Sequence, residues 1–331
     1  MRKNEVALLP SPKTLKAYTG SSRADVGFTD LIKERLLMEK KNLTEQQLKV
    51  HLIVDEAAIK PVEAYMKNVD KLVGHVDMAG VVEPVEEGAL VNKLLTFVIN
   101  GLSKSFSIIV GYFLVKKLTA SQLLELTKHV IKEIEALGFQ VEGLVADNAS
   151  TNTKMFKLLN PEGILCHQVP HPNDKKRILF LSFDSSHIIK NVSNQFIDRP
   201  LKWNGKRILF DYVKRLYEKQ KNALLKPVRK LSKKHLELTK IERQNVGKAL
   251  DIFSRDLVAA METYRRQNVS GFVDCQETIM FMKRFIKWFE IHDSCNLTQA
   301  ILKRLPNKAP FSSENDERHQ WLEAFLKWLK S

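Results

Sequence analysis

Two aspartates stand where chemistry can be done. Asp55 closes the run Lys49-Val50-His51-Leu52-Ile53-Val54-Asp55, and Asp147 closes Val141-Glu142-Gly143-Leu144-Val145-Ala146-Asp147. A short, nearly continuous apolar run reads as a buried strand. In an open α/β sheet the strand tips line the crevice where ligands and metals gather. Two carboxylates brought together there can share two divalent cations, Mg²⁺ or Mn²⁺, about 3.5 to 4 Å apart. One cation activates a water or 3′ hydroxyl; the other stabilises the leaving oxygen of a phosphodiester. The same residues have a plainer use, since Asp147-Asn148-Ala149-Ser150 also has the composition of a cap for a helix over 151–159.

A second group lies at Asp184, His187, Lys190 and Asn191, after the apolar run Arg177 to Phe183. A helix starting there presents free backbone N–H groups, together with Lys190, to a phosphate. An aspartate is also the acceptor that the N1 and N2 donors of guanine require. The alternative is that Asp184 caps the helix and His187 packs against the sheet. No G-x-x-x-x-G-K-[ST] loop occurs anywhere, which excludes the P-loop class.

The elements that must position these residues follow from periodicity. Residues 11–37 read as a short helical lead-in: a Thr14 to Tyr18 segment, a Gly20-Ser21-Ser22 break, and helical spacing from Phe28 to Met38. Further strands are expected at Lys71 to Asp77, Leu94 to Ile99 and Phe106 to Val115, with Asn100-Gly101 as the turn between the last two. Ser121 to Leu137 carries one apolar helical face ending at a Gly138 cap. Three strands, a helix and another strand is the order of a sheet whose crossover helix returns the chain parallel to the first strand. Beyond residue 197 the chain reads as helical. One stripe runs through Val246, Leu250, Phe253, Leu257, Met261 and Tyr264, and a second through Ile279, Met282, Phe285, Ile286 and Phe289. The domains expected are a lead-in at 1–45, an α/β domain at 46–197 and a mostly α-helical domain at 198–331.

Composition narrows the partners. The 331 residues hold 53 Lys+Arg against 38 Asp+Glu, a net +15 with a pI near 9.6. Sixteen cations and five acids fall between Asp198 and Leu250. Excess positive charge of this kind suits a polyanion such as DNA, RNA or a nucleotide phosphate. The basic span, from Lys202 and Arg207 through Arg229 to Lys234, reads either as a phosphate-contacting face or as a solvated helical surface, with Trp203 and Tyr212 interspersed. The aromatics at 253, 285, 288 and 289 read as core rather than stacking platforms. Cys166, Cys275 and Cys295 lack metal-ligand spacing and read as reduced thiols, and no apolar run suits a membrane span or signal peptide.

Four blocks carry a resemblance: Val54-Asp55-Glu56-Ala57, the Leu72 to Met78 segment LVGHVDM, Val145 to Asn152, and Phe183-Asp184-Ser185-Ser186-His187-Ile188-Ile189-Lys190-Asn191. In this order they resemble the P element transposases and their THAP-domain-bearing relatives, and the similarity continues through Arg243 to Ala260 and Trp321 to Trp328. Ala57 stands where the family has Met, and Asn148 where it has Gly. The resemblance implies an α/β RNase H-like domain followed by a helical GTP-binding insertion. Asp55 and Asp147 are then the first two metal-binding, catalytic carboxylates for Mg²⁺ or Mn²⁺, and Asp184 and Lys190 belong to the GTP site, with Asp251 as a further candidate for base recognition. It also implies DNA as partner, both transposon ends and target, a nuclear location, and a possible homo-oligomer. The family's third carboxylate, a Glu after the insertion, has no evident counterpart before Ser331, where Glu277, Glu290 and Asp293 are the late acids near helices. The expected functions are DNA cleavage and strand transfer or, alternatively, DNA and GTP binding without turnover.

Overall fold

A computed structural model describes residues 25–67 and 70–331, and the expected Thr14 to Tyr18 helix and Gly20 break lie outside the described residues. The chain divides into two compact units, Met1–Ser182 and Phe183–Ser331. That junction lies earlier than the boundary near residue 197, because the helix following Phe183 buries Ile189 and Phe196 in the core of the second unit.

The first unit opens with α1 (Asp30–Lys40), then β1 (Lys49–Ala58), the small hairpin of β2 (Ala64–Met66) and β3 (Lys71–Val73), β4 (Lys93–Gly101), β5 (Ser107–Val115), α2 (Ala120–Ala136), β6 (Gln140–Ala146), α3 (Ser150–Leu159), β7 (Gln168–Pro170) and β8 (Ile178–Phe183). Six strands form one sheet in the order β5-β4-β1-β6-β8-β7, with β1 antiparallel to β4 and parallel to β6. Alternation along β1 buries Val50, Leu52 and Val54 and turns His51, Ile53 and Asp55 to the other face. The expected strand at Lys71 to Asp77 is shorter: β3 ends at Val73 and pairs only with β2, and Asp77 reaches the edge of the large sheet through a single bridge to Leu114. Asn100 and Gly101 belong to β4, Asn100 pairing with Ser107, so the turn falls after them.

α2 begins with a capping box in which Thr119 Oγ1 accepts from Gln122 N and Gln122 Oε1 accepts from Thr119 N. Its end needs Gly138, which adopts φ +92. Lys40 Nζ of α1 donates to the Leu137 carbonyl at that end, 2.8 Å away. One turn earlier, Glu135 ties the helix to the sheet. Its carboxylate accepts from Arg177 at 2.8 Å, Asn173 at 2.9 Å and the Val141 amide at 3.2 Å, and buried His171 brings Nε2 to 3.3 Å. The Asn173 amide donates to His171 Nδ1, which leaves the ring proton on Nε2, toward Glu135. Burial pushes the Glu135 carboxyl up, but the bonds from His171, Asn173 and Arg177 outweigh it and hold the group at about 2.

The second unit contains α4 (Ser185–Asp198), the hairpin β9 (Leu201–Trp203) and β10 (Lys206–Ile208), α5 (Asp211–Gln220), α6 (Lys233–Leu236), α7 (Val246–Ile252), α8 (Arg255–Arg266), α9 (Gln276–His292), α10 (Leu297–Leu302) and α11 (Glu317–Lys330). The single stripe expected from Val246 to Tyr264 is two helices. Phe253 leaves helical geometry, and Ser254 caps α8 by accepting from the Leu257 amide. Both helices still present that stripe to one core, where Phe196, Phe253, Phe281 and Phe285 form a ring cluster with centroids 4.9 to 6.0 Å apart. Phe253, Phe285 and Phe289 are buried and Trp288 packs against them, as the periodicity implied.

Candidate functional site

Asp55 and Asp147 are brought together by register. β1 and β6 run parallel with Ile53 opposite Val145 and Val54 opposite Ala146. Asp55 and Asp147 are the next residues after the last paired ones, on strands about 4.8 Å apart, and Asp55 shares its face with His51 and Ile53. Their settings differ. Asp55 is inside β1, which continues to Ala58, paired with Thr96 of β4; its Oδ1 accepts from the Glu56 amide at 2.8 Å, and Thr96 Oγ1 donates to its carbonyl. Asp147 stands past the end of β6. Its Oδ1 accepts from the Ala149 amide at 2.8 Å and from Asn152 Nδ2 at 2.7 Å, closing the turn into α3. The N-cap of α3 is Ala149, so Asp147 shapes the approach to the helix rather than capping it.

Two hard oxygen donors on adjacent strands suit Mg²⁺ or Mn²⁺, which complete their shells with water and substrate phosphate. Among the described residues no three His, Cys, Asp or Glu side chains converge on a metal-sized point. The late acids are engaged elsewhere: Glu277 with Lys206 at 2.8 Å, Glu290 with Arg255 at 2.8 and 2.9 Å and Asn307 at 2.7 Å, and Asp293 with Lys308. His51, four residues before Asp55 on the same face, has its pKa lowered by burial, with Glu142 acting in the opposite sense. Gly143 makes room for it, since a Cβ there would meet the ring at 2.8 Å.

The second group gathers on α4. Asp184 is its N-cap, accepting from the Ser186 amide at 2.9 Å, and His187 Nε2 lies 3.8 Å from its other oxygen. One turn on, Lys190 is 9% exposed, and among the described residues no carboxylate comes within 4.0 Å of its ammonium. Ser193, three residues further along the same helix face, is buried with an Oγ that has no hydrogen-bond partner. A buried hydroxyl left unsatisfied beside a largely buried cation on one face is costly unless a ligand answers it. Ser193 escaped the sequence reading. Its signal was a small polar residue at i+3 from Lys190, on the face carrying Ile189 and Phe196. Asp251, on α7, has protein partners: His235 Nε2 at 3.2 Å and Lys230 Nζ at 3.6 Å. His235 Nδ1 in turn faces Ser232 Oγ at 3.0 Å. In the basic span the lysines and arginines are exposed, whereas Tyr212 is buried and Trp203 packs against Trp328 and Arg284, so the aromatics there are structural.

Comparison with known proteins follows this division. Residues 24–160 match the family model described as TNP-like, RNase H N-terminal domain, and residues 186–305 match TNP-like, GTP-binding insertion domain. The chain is 25% identical over 170 residues to Transposable element P transposase of Drosophila melanogaster, covering 50% of this chain and 22% of that protein. It is 20% identical over 304 residues to DNA transposase THAP9 of Homo sapiens, covering 88% of this chain and 33% of that protein. It thus spans a third or less of either relative. The fold resembles a chain of the Drosophila P element transposase strand transfer complex with a TM-score of 0.70 at 21% identity, covering 88% of this chain and 61% of that one. An α/β RNase H-like domain followed by a helix-rich insertion domain, matched in that order by both models, places this chain in the P element-type, TNP-like transposase family.

Proposed function

We propose that this chain is the core of a metal-dependent DNA transposase that uses GTP as a bound cofactor and acts in the nucleus on transposon ends and target DNA. The observation that carries the reading is the parallel pairing of β1 with β6 up to Val54 and Ala146, the residues that immediately precede Asp55 and Asp147. When bound there, Mg²⁺ or Mn²⁺ would supply Lewis-acid activation of the attacking oxygen and charge neutralisation at the leaving one. The chain's own contribution is positional. Asp55 is held by its pairing with Thr96 of β4 and Asp147 by its turn, so the carboxylates need little reorganisation to accept a cation. On α4, Lys190 and Ser193 would meet phosphate or ribose oxygens, and Asp184 would accept from the guanine edge.

A second reading, DNA and GTP binding without turnover, is favoured by one observation: Glu277, Glu290 and Asp293 are each paired with a cation. Cleavage of a labelled transposon-end duplex in Mg²⁺ or Mn²⁺ separates the two. The transposase reading expects cleavage by the chain and its loss in both Asp55→Ala and Asp147→Ala. Cleavage that survives both substitutions refutes the assigned carboxylates, and no cleavage beside intact GTP binding selects the binding-only reading.

A further inference from the structure

We propose that the loop between α5 and α6 is a DNA wedge, in which Leu224 and Leu225 enter a base step while the surrounding cations hold the flanking phosphates. The inference rests on the DNA-binding reading and gives it a place on the second unit.

Leu224 is 104% exposed and Leu225 86%, side by side at the tip of the loop. An isolated exposed leucine is ordinary; two adjacent and fully bare ones on a structured loop are not. The loop is held from both ends. Gln220, the last residue of α5, is buried, and its amide side chain clasps Val228 on the far side, donating to its carbonyl at 2.8 Å and accepting from its N–H at 3.0 Å. Val228 and Leu231 are buried in the core of the second unit. Beyond them Ser232 caps α6, and His235 is fastened to Asp251. The tip therefore projects from a closed base, with Pro227 restricting its descending arm.

The loop's own charges are of one sign, and the acids that meet them, Glu218 at Lys221, Asp251 at Lys230 and Glu237 at Lys233, lie outside the tip. From Lys219 to Lys234 there are seven Lys and Arg and no Asp or Glu, and all seven are exposed. Lys226 and Arg229, nearest the leucines on the descending arm, have no ion-pair partner among the described residues. A cationic collar fits a polyanion, and an apolar tip fits an apolar recess within it. Duplex DNA offers both, because minor-groove proteins insert leucines between base pairs, partly unstack them, and hold the phosphates on either side with cations. Unstacking a step costs about a few kcal/mol, so a wedge must be rigid to transmit force. The Gln220 clasp provides that rigidity, whereas a loop that dips into lipid has no such requirement.

The test compares the full chain with a Leu224→Ser/Leu225→Ser double variant, whose changes lie at exposed positions and leave the core intact. The probe is a duplex carrying 2-aminopurine at a flexible TA step. Wild type is expected to bind and to brighten the 2-aminopurine as the base unstacks. The double variant should bind at least about tenfold more weakly, without brightening and with an unchanged salt dependence, since phosphate contacts set that slope. Lys226→Ala/Arg229→Ala should show the complementary pattern, a salt slope shallower by about one for each phosphate no longer held. Equal affinity and equal brightening in the leucine variant overturn the wedge while leaving DNA binding standing. Failure of wild type to bind the duplex at low salt overturns the DNA reading and the wedge together. Loss of binding to phosphatidylserine vesicles in the leucine variant, beside unaltered DNA binding, overturns the wedge in favour of a membrane contact.

Discussion

Lys190→Met removes a charge while keeping an unbranched side chain of similar length, and the structure sets opposite expectations for stability and for binding. Lys190 is only 9% exposed with no carboxylate beside it among the described residues, and the neighbouring buried Ser193 hydroxyl has no hydrogen-bond partner. Desolvating an ammonium without a counter-ion costs several kcal/mol, so the nucleotide-free variant should be at least as stable as wild type. With GTP the order reverses. A ligand present at a hundred times its Kd stabilises the folded state by about 2.7 kcal/mol. In a unit of roughly 150 residues that is about 5 to 10 °C in Tm. The readout is built in: Trp203, Trp288, Trp321 and Trp328 all lie in the second unit, so tryptophan fluorescence excited at 295 nm follows the unfolding of that unit. Wild type should gain stability with GTP, and Lys190→Met should start at or above the wild-type midpoint and stay there. A GTP-dependent rise in Lys190→Met equal to that of wild type would show that the phosphates do not lie against this lysine.

Three further outcomes follow from the same geometry. Asp184→Asn should preserve the melting midpoint without ligand, because Asn caps helices as well as Asp, while weakening GTP relative to ATP in a competition assay. Asp147→Asn retains an oxygen for the Ala149 amide and so should fold normally, yet isothermal titration with Mn²⁺ should show a loss of heat relative to wild type; an unchanged isotherm would remove Asp147 from the metal site. Glu135→Gln should destabilise the first unit by up to about 3 kcal/mol at pH 7, the equivalent of a shift from the usual 4.5 to about 2. A depressed carboxyl stabilises above its unfolded pKa, so this contribution should fade between pH 4.5 and 2, and urea melts followed by circular dichroism should converge for the two proteins near pH 2. A constant difference down to that pH would assign the effect to packing instead.

The strands that carry the aspartates were legible because a parallel strand buried on one face and half-covered on the other still reads as an apolar run, as at Leu52-Ile53-Val54 and Leu144-Val145-Ala146. α2 was legible to within a residue because its face, its capping box and Gly138 all agree. Lys71 to Asp77 misled for a tertiary reason. Its residues alternate like a strand, but Gly74 sits at φ +115 against the Val62 carbonyl, so the chain leaves its small hairpin there and meets the large sheet only at Asp77. The break at Phe253 was hidden because the apolar stripe continues across it; the sign of it was Ser254 followed by Asp256, a cap and an acid in a first turn. Pairings such as His235 with Asp251, or Gln220 with Val228, depend on a side chain crossing to a separate segment. Spacing along the chain does not encode them.

The choice between cap and ligand, open in the sequence for both Asp147 and Asp184, rests on a false opposition. In each case one carboxylate oxygen accepts from the backbone amide two residues on, Asp147 from Ala149 and Asp184 from Ser186. That bond fixes the aspartate's χ1 and so aims the carboxylate; Asp55 does the same one residue on, with Glu56. A catalytic or nucleotide-binding carboxylate benefits from such a lock, because a group already oriented loses less entropy when the ligand arrives. It follows that alanine is a poor probe of these positions. It removes the ligand and the lock together, at about 1 kcal/mol of local stability where the lock is a helix cap, as at Asp184. Asparagine keeps an accepting oxygen for the amide and removes only the charge, so its effect on cation or guanine binding can be read apart from its effect on the fold. On the proposed reading the site chemistry and the local backbone geometry are one feature, and the sequence pattern that suggested a turn was also the pattern that suggested a ligand.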